Sequence, residues 1–439
     1  MKKPQKPKPW REILDKAGEE AVKLLEDGEI EAFITKSNRS YLHWDELRYR
    51  EIPKKANSEL VWVMMKVMRQ GKQRLLKFGG MQFRYSLQDE VSQKLHILDI
   101  SAGGSLESGS KFIDLKGMDR YIINSLMEEA IASSQLEGAA TTRKVAKKML
   151  RENKKPRNYS EQMIVNGYTT MRKISELKDT KMTIDLLLDL HRSITEDTLK
   201  DKMDEGRFRD SNEVVVMDDE KGVIYHTPPN HQKLKDLMEE FCEFASEDSK
   251  EFIHPIIKAI MLHFLIGYIH PFNDGNGRTA RAIFYWYVLT RDYWLFEFMP
   301  ISRIILKSKT QYGMAYLYTE TDDNDLTYFI NYNLDSIGKA LEDMKAYLTR
   351  KQNEQTESLK LIDSAKDINL RQADILKTFM KRPDEHVTIN EIETMYNVAY
   401  QTARTDLLNL AKLGYLEKIP YKNKFIFTLK KQNAPKKQT

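Results

Sequence analysis

One string of residues constrains this chain more than any other feature, because it collects ligand-type side chains and leads straight into an apolar segment. The string is His270-Pro271-Phe272-Asn273-Asp274-Gly275-Asn276-Gly277-Arg278-Thr279-Ala280-Arg281. The residues after it, Ala282 to Leu289, are all apolar or aromatic, which predicts a buried helix. A glycine-flanked turn that feeds the N-terminus of a helix offers backbone N–H groups to an anion. The string therefore predicts an anion-binding turn at the start of a core helix.

The side chains of the string suit the binding of a polyphosphate and the activation of a hydroxyl. His270 can lose or gain a proton near neutral pH, so it can act as a general base. Asp274 is a hard oxygen ligand, and Mg²⁺ usually takes one or two protein carboxylates beside phosphate oxygens and water. Arg278 and Arg281 share a helix face, and guanidinium forks match phosphate oxygens. Taken singly, each residue also fits a turn between core helices, with a solvated Asp274 and two surface arginines.

At every defined position the string resembles the signature of the Fic family, HPF-x-[DE]-GNGR-x-x-R. The segments His254 to Ala259 and Gly206-Arg207-Phe208-Arg209 are also similar to that family, and the resemblance covers roughly residues 110 to 340. It implies a mainly α fold with a Fic-type helical core. It also implies transfer of AMP from Mg·ATP to a Ser, Thr or Tyr hydroxyl of a target protein, with Mn²⁺ as a substitute for Mg²⁺.

The resemblance gives the string its site roles. His270 would take the proton from the hydroxyl, and Asp274 would hold Mg²⁺ on the α- and β-phosphates. The backbone of the glycine turn and the side chain of Asn276 would bind the phosphates, while the two arginines would neutralise the β and γ groups. The ATP- and phosphate-binding set within the string comprises Asp274, Gly275, Asn276, Gly277, Arg278, Thr279, Ala280 and Arg281.

Two β-branched runs upstream of the string predict a hairpin. Val214-Val215-Val216-Met217 and Val223-Ile224-Tyr225-His226 flank the turn residues Asp218 to Gly222. In the Fic family this region is a flap over the active site, so the resemblance counts Val214, Val215 and Val216 among the ATP-site residues. Many relatives carry an aromatic residue and a glycine pair where this chain has valines. Tyr312 lies where relatives often keep a tyrosine against the adenine, although it equally suits the core.

The segment Ser133-Ser134-Gln135-Leu136-Glu137-Gly138 is similar to the inhibitory motif of the family, [ST]-x-x-x-E-[GN]. It follows a predicted helix over Met118 to Ala132, and Gly138 suits the position just after a helix. Alone, such a segment is more often an exposed helix end than a switch. Beside the long string, the resemblance implies that Glu137 pairs with Arg281 and keeps it from the γ-phosphate. Ser133, Glu137 and Gly138 are therefore the predicted inhibitory residues of a self-inhibited Fic protein.

Length and composition predict a multidomain protein. At about 150 residues per domain, 439 residues correspond to two or three domains. The single cysteine, Cys242, excludes an intrachain disulfide and favours a reducing compartment, which we expect to be the cytoplasm. No stretch is long and apolar enough to span a bilayer, so we expect no membrane partner, and the N-terminus does not resemble a secretory signal. The net charge of +5 permits a nucleic-acid-binding module without demanding one.

The chain divides by pattern into three predicted segments. These are an N-terminal helical region over 1–105, a Fic domain with its inhibitory helix over 106–350, and a linker, winged helix and basic tail over 351–439. The first boundary follows from a glycine- and serine-rich stretch over 103–110. Within the first segment we predict helices over Trp10 to Leu25 and Ser58 to Arg74, with mixed loop and strand over Ser37 to Arg50. Three aromatic residues are predicted core anchors: Tyr41, Trp44 and Trp62.

The C-terminal pattern resembles a winged helix. Leu370 to Met380 predicts a helix, Thr388-Ile389-Asn390-Glu391 is a capping box that opens a second, and Gln401 to Leu413 predicts a third. Two short strands follow, over Tyr415 to Ile419 and Phe425 to Leu429. Similar domains often place the third helix in the DNA major groove, but others contact proteins, and both partners stay open. The residues available to DNA would be Gln401, Thr402, Arg404, Lys412, Lys422 and Lys424.

Two further functions compete with AMP transfer. An intact inhibitory glutamate can support removal of AMP, which would make the protein a de-AMPylating phosphodiesterase at the same site. Alternatively, the protein is a DNA-binding regulator whose Fic core only senses nucleotide. The target protein, which can be the chain itself, and the formation of a homodimer stay open.

Overall fold

The structure is a computed structural model that describes residues 2–102, 118–218, 221–246, 251–364, 367–421 and 424–430. These residues are mainly helical, as predicted. The predicted boundary at 103–110, Lys422 of the wing and the tail after 430 lie outside the described residues. The helices are α1 (Trp10–Lys23), α2 (Gly28–Arg39), α3 (Trp44–Leu47), α4 (Ser58–Gln70), α5 (Asp89–Ala102), α6 (Met118–Leu136), α7 (Arg143–Arg151), α8 (Tyr159–Glu176), α9 (Ile184–Thr195), α10 (Leu234–Ser246), α11 (Pro255–Ile269), α12 (Asn276–Leu289), α13 (Ile301–Lys307), α14 (Lys309–Thr321), α15 (Thr327–Ser364), α16 (Leu370–Lys381), α17 (Ile389–Tyr396) and α18 (Tyr400–Lys412).

The strands of the described residues form three small antiparallel sheets. The first is a hairpin of β1 (Gln73–Phe78) and β2 (Met81–Ser86), and the second is a hairpin of β3 (Val216–Asp218) and β4 (Val223–His226). The third has the order β5-β7-β6, and its strands are β5 (His386–Val387), β6 (Leu416–Tyr421) and β7 (Lys424–Leu429). No helix within the described ranges has the length and hydropathy needed to cross a membrane.

The chain forms two compact units. The first comprises 1–104, 169–296 and 301–338, and the second comprises 105–168, 297–300 and 339–439. The first unit is built on α11 and α12, which pack along one another and are buried on nearly all sides. This burial follows from their sequences, because a helix that is apolar all round must be enclosed by other elements. The three-segment division made from the sequence stays a prediction.

In the first unit, the N-terminal helices share a buried polar network with the segment between α14 and α15. Lys66 Nζ of α4 lies 2.7 Å from Asp322 Oδ1, and both side chains are buried. The Tyr41 hydroxyl donates to Asp325 Oδ2 at 2.7 Å. Buried charges are tolerated where they are paired and hydrogen-bonded, so this network fixes the N-terminal helices against that segment. Tyr41, Trp44 and Trp62 are all buried, which confirms them as core anchors.

The second unit contains α6, α7 and the C-terminal elements. The elements α16, β5, α17, α18, β6 and β7 follow one another in the predicted order and enclose their own apolar core around Phe379, Leu407 and Phe427, and their assignment as a winged helix stays a prediction. The capping box at Thr388 is present, since its side chain accepts from Glu391 N and the Glu391 carboxylate accepts from Thr388 N. Helix α17 packs against both α6 and α7.

Two predictions about the N-terminal region were wrong. Residues 37–50 contain no strand, because α2 continues to Arg39 and α3 follows at Trp44, where His43 Nδ1 accepts from Asp45 N at 3.0 Å. The helix predicted to end at Arg74 ends at Gln70. The chain then enters β1, and the β1–β2 turn is made by Gly79 and Gly80 at φ 58° and 72°. Two adjacent residues at positive φ match the tight hairpin turn that glycines favour.

Candidate functional site

The loop between α11 and α12 begins with a histidine in an uncommon backbone conformation. His270 ends α11 at φ 50° and ψ 58°, a left-handed conformation that costs free energy for a residue with a Cβ. Arg209 stabilises it, because its Nε donates to the His270 carbonyl at 2.8 Å and its own backbone N–H donates to the Pro271 carbonyl at 2.9 Å. The same guanidinium donates to the carbonyls of Ser211 and Pro229.

The His270 ring is oriented by the helix that precedes it. Its Nδ1 lies 3.1 Å from the carbonyl oxygen of Gly267. A carbonyl can only accept, so in the neutral ring Nδ1 carries the proton and Nε2 carries the lone pair. The nitrogen suited to act as a base is therefore Nε2.

The turn after His270 is held by one asparagine. The Asn276 side chain accepts from Phe272 N at 3.0 Å and donates to the Phe272 carbonyl at 2.8 Å, and Asn276 is 2% exposed. Both polar atoms of this side chain take part in closing the loop, and its predicted contact with phosphate stays a prediction. The backbone of the turn remains the predicted phosphate contact. Gly275 precedes α12 at φ 82°, so the turn uses the conformational freedom that the sequence indicated.

Helix α9 forms a wall behind the turn. The Arg278 Nη1 donates to the Ile194 carbonyl at 2.9 Å. His191 lies between Gly206 and the carbonyl of Asp274, and its burial and the nearby charges of Arg278 and Arg192 lower its pKa to about 4.

The two arginines of the string lie inside the protein. Arg278 is 4% exposed and Arg281 is 3% exposed, so the alternative with two surface arginines is wrong. Thr279 and Ala280, between them, are completely buried, and their side chains face the core. Guanidinium groups that follow a glycine turn suit the binding of a multiply charged anion.

Asp274 is the acidic residue of the turn. It is exposed, and its Oδ1 accepts from the backbone N–H of Gly275. Among the residues that the structure describes, no group of three or more His, Cys, Asp or Glu side chains could hold a metal ion. One exposed carboxylate beside an anion site still fits Mg²⁺, which completes its shell with phosphate oxygens and water.

Tyr312 lies on α14 in an aromatic cluster. Its hydroxyl lies 2.7 Å from Nε2 of His263, and its ring packs near Phe329 and Tyr316. Burial and the charge of Arg281 lower the pKa of His263 to about 3, so this histidine is neutral. Tyr312 is half-buried, and its predicted contact with an adenine stays a prediction.

The predicted flap is the β3–β4 hairpin, which begins two residues later than the valine run. Val216 lies in β3, whereas Val214 and Val215 precede it, and all three are half-buried. The end of β4 is fixed to α11, because the His226 ring lies 2.7 Å from the Tyr268 carbonyl and 2.7 Å from the Glu320 carboxylate. Tyr268 is two residues before His270, so the flap is joined directly to the helix that carries the base.

The predicted inhibitory segment ends α6 in the second unit. The helix stops at Leu136, and Gly138 follows at φ 93°, as expected of a glycine just after a helix. Ala139 N donates to the Ser134 carbonyl at 3.0 Å, which closes the helix end. Ser133 is half-buried, and Glu137 is exposed. The pairing of Glu137 with Arg281 stays a prediction.

Sequence analysis missed two residues of the site. Arg209 was noted only as part of a family-like run, and His191 was not singled out at all. A lone histidine at an apolar helix position gives no signal of its own. The N–H of Gly206 donates to the His191 ring, and Gly206 belongs to the family-like run Gly206 to Arg209 that also contains Arg209. That run was therefore the signal in the sequence that pointed to this part of the site.

The structure thus places His270 and a glycine turn between two buried helices, and a hairpin is joined to the first of these helices. Residues 181–288, which include α9 to α12 except for the last residue of α12, match the model of the Fic/DOC family. The chain therefore contains a Fic domain over these residues.

Curated relatives that are similar to this chain carry the name protein adenylyltransferase. The chain is 36% identical over 106 residues to "Protein adenylyltransferase Fic" of Nematostella vectensis, which covers 24% of this chain and 22% of that protein. The protein of the same name from Drosophila mojavensis is 27% identical over 161 residues, which covers 37% of this chain and 28% of that protein. The matched segment thus spans about a quarter of the length of these relatives.

Solved structures of Fic proteins are also similar to this chain. A Fic family protein from Desulfovibrio desulfuricans G20 has a TM-score of 0.46 and 15% identity, with 77% of this chain and 94% of that chain covered. Fic-1 from C. elegans has a TM-score of 0.46 and 15% identity, with 74% of this chain and 86% of that chain covered.

Proposed function

We propose that this protein is an AMP transferase that moves AMP from ATP to a Ser, Thr or Tyr hydroxyl of a target protein. One observation carries the proposal. The His270 ring has its lone pair on Nε2, and it lies five residues before Gly275, the residue before the helix that carries the buried Arg278 and Arg281. The names of the relatives support the same chemistry, since they are called protein adenylyltransferases.

The residues present can account for each step of this transfer. His270 Nε2 takes the proton as the target hydroxyl oxygen attacks the α-phosphorus of ATP. The bond between the α-phosphorus and its bridging oxygen breaks, and pyrophosphate leaves. Arg278 and Arg281 stabilise the negative charge on the β- and γ-phosphates, because buried guanidinium groups act strongly on charge in a water-poor site. Asp274 would hold Mg²⁺, which when bound supplies charge neutralisation at the phosphates.

We also propose that the protein inhibits itself through Glu137. A carboxylate that pairs with Arg281 would occupy the donors that the γ-phosphate needs. Glu137 directly follows α6, and Gly138 turns the chain after it at φ 93°, so Glu137 occupies the place of the glutamate in the inhibitory motif that the segment resembles.

Label transfer from ATP tests the proposal. The purified protein is incubated with α-labelled ATP and Mg²⁺, alone and with a cell lysate, and the label on protein is measured after denaturation. We expect covalent label on the protein or on a lysate protein, and none with His270→Ala. Equal label with His270→Ala would show that His270 is not the base. No label with wild type or with Glu137→Gly would contradict AMP transfer.

A DNA-binding role is the second candidate, and the C-terminal elements favour it. Helix α18 exposes Gln401 and Arg404, which a winged helix would present to DNA. The wing is less available, because Lys424 lies near Glu152, the residue after α7. Burial acts to raise the pKa of Glu152, but Lys154, Lys148 and Lys424 outweigh it and hold the pKa below its usual value.

A further inference from the structure

We propose that His191 is a positioning residue that sets the conformation of the phosphate-binding turn, through a hydrogen bond from its Nε2 to the backbone carbonyl of Asp274. The inference rests on the proposed function, because it assigns the turn to ATP phosphates. It concerns a residue on another helix, α9, more than eighty positions before the turn.

The His191 ring has a polar partner on each nitrogen. The backbone N–H of Gly206 donates to Nδ1 at 3.0 Å, and Nε2 lies 2.9 Å from the carbonyl oxygen of Asp274. The residue is completely buried. These two bonds connect the family-like run at Gly206 with the turn at Asp274.

The chemistry of the two partners fixes the tautomer. A backbone N–H can only donate, so Nδ1 must accept and carries no proton. A carbonyl can only accept, so Nε2 must carry the proton and donate it. His191 is therefore the neutral Nε2–H tautomer, and the opposite tautomer would lose both bonds.

Packing contacts fix the position of the His191 ring. The His191 ring stacks on Phe272 with 3.7 Å between centroids and 7° between planes. A Cβ added to Gly275 would lie 2.7 Å from Cγ2 of Thr195 and 3.2 Å from Nε2 of His191. The ring thus lies between the turn at Gly275 and the ring of Phe272.

The hydrogen bond from His191 to the Asp274 carbonyl influences the direction of the backbone N–H groups of the turn. The carbonyl of Asp274 and the N–H of Gly275 belong to one peptide plane, so a donor that holds the carbonyl also sets the direction of that N–H. The N–H of Gly275 donates to the Asp274 carboxylate, so the bond from His191 also fixes this carboxylate and the backbone that leads into the N–H groups of α12. Anion binding by successive N–H groups depends on such directions. Without the bond from His191, the plane can rotate and the phosphates are bound less tightly.

Two amide variants separate the two hydrogen bonds. His191→Gln places an amide N–H₂ near the position of Nε2 and so can keep the bond to Asp274. His191→Asn places an amide oxygen near Nδ1 and so can keep only the bond from Gly206. Both are similar in polarity and both lose the stacked ring, so they form a matched pair. Should His191→Asn fail to fold, His191→Phe keeps the stacking on Phe272 and removes both bonds.

The first readout is ATP affinity of the full chain with Mg²⁺, measured by calorimetry, which gives affinity and active fraction separately. We expect His191→Asn to weaken affinity about tenfold, because misplacement of binding groups by about an ångström is costly. We expect His191→Gln to stay within about threefold of wild type. A merely structural role would lower the active fraction of both variants and leave the affinity of the folded molecules unchanged. Equal affinities for the two variants would overturn the proposal.

The second readout is the tautomer, from nitrogen chemical shifts of histidine-labelled protein at neutral pH, with the His191 signal assigned by its loss in His191→Gln. An Nδ1–H signal would overturn the proposal. If wild type and Glu137→Gly bind ATP but transfer no AMP, the proposed function fails alone, and the affinities still decide the role of His191. Absence of ATP binding by wild type would overturn both.

Discussion

At the residue scale, the site depends on backbone conformations that individual side chains hold in place. His270, Gly206 and Gly275 all have positive φ, at 50°, 69° and 82°. Only glycine adopts such a conformation without cost, so the one at His270 needs support from outside, and Arg209 gives it. The base and the turn are therefore set before any ligand binds.

We predict that His270→Ala abolishes AMP transfer and leaves ATP binding nearly unchanged. The ring acts on the target hydroxyl, whereas the turn and the arginines hold the phosphates, and loss of a general base costs roughly 10²- to 10⁴-fold in rate. Transfer rates and calorimetric affinities of the same preparation check this. A large loss of affinity with a normal rate constant would assign His270 to binding instead.

Gly275→Ala should lower the free energy of unfolding by about 1–3 kcal/mol, because its φ of 82° is strained for alanine and the new Cβ would meet Thr195. Gly338→Ala is the matched control. Gly338 lies in α15, and a Cβ there meets nothing within 4 Å, so alanine should stabilise the helix by about 0.5–1 kcal/mol. Urea denaturation of both variants measures the difference. A neutral Gly275→Ala would show that the turn is not tightly held.

At the scale of elements, α11 and α12 hold the loop and the flap is joined to α11 through His226. The inhibitory segment belongs to α6, and α6 packs against α17 of the C-terminal elements. The helix that precedes Glu137 therefore has contacts with both α7 and α17 within its own unit.

We predict that Glu137→Gly transfers AMP far faster than wild type. Removing the carboxylate frees Arg281 to bind the γ-phosphate in the productive pose. Rates of label transfer from α-labelled ATP, over a range of Mg²⁺ and Mn²⁺, provide the measurement. Arg281→Ala should not reproduce the gain, because it removes the phosphate ligand as well.

Glu176→Gly supplies the control for that variant, since Glu176 is also an exposed glutamate at the end of a helix, α8. Its transfer rate should equal that of wild type. If Glu137→Gly labels no faster than Glu176→Gly, the segment from Ser133 to Gly138 is only a helix end.

The segment from about Asn369 to Lys430 should fold alone and bind duplex DNA weakly. It encloses its own apolar core, and the exposed Gln401 and Arg404 of α18 face outward. Because the attraction is mainly to phosphates, the affinity should fall steeply as salt rises. Circular dichroism and fluorescence anisotropy at two salt concentrations test both parts. If the segment folds but does not bind DNA at low salt, a protein-contact role is indicated.

At the scale of the whole molecule, the sequence predicted what depends on local patterns. The string from His270 to Arg281, the β3–β4 hairpin and the capping box at Thr388 are each defined by neighbouring residues, and the structure contains all three elements. It could not predict contacts that only the tertiary fold creates. His191 lies behind the turn because α9 packs on α12, and the Asn276 side chain is engaged because the loop closes on Phe272.

Stability should fall as the pH is lowered from about 6.5 towards 4. Burial lowers the pKa of His43 to about 4, and burial with Arg281 lowers that of His263 to about 3. In this range the two histidines bind protons in the unfolded chain but not in the folded chain. Each histidine therefore lowers the free energy of unfolding by up to about 1.4 kcal/mol for each pH unit of decrease. Urea midpoints between pH 7 and 5 test this. His43→Gln should flatten the dependence, whereas His96→Gln, at an exposed position, should not.

The most direct test of AMP transfer compares two labels on the same protein. Glu137→Gly is incubated with Mg²⁺ and either α-labelled or γ-labelled ATP, and covalent label on protein is counted, with Glu137→Gly/His270→Ala as the blank. We predict label from the α position, none from the γ position and none in the blank. Label from the γ position, or equal α label in the blank, would contradict it.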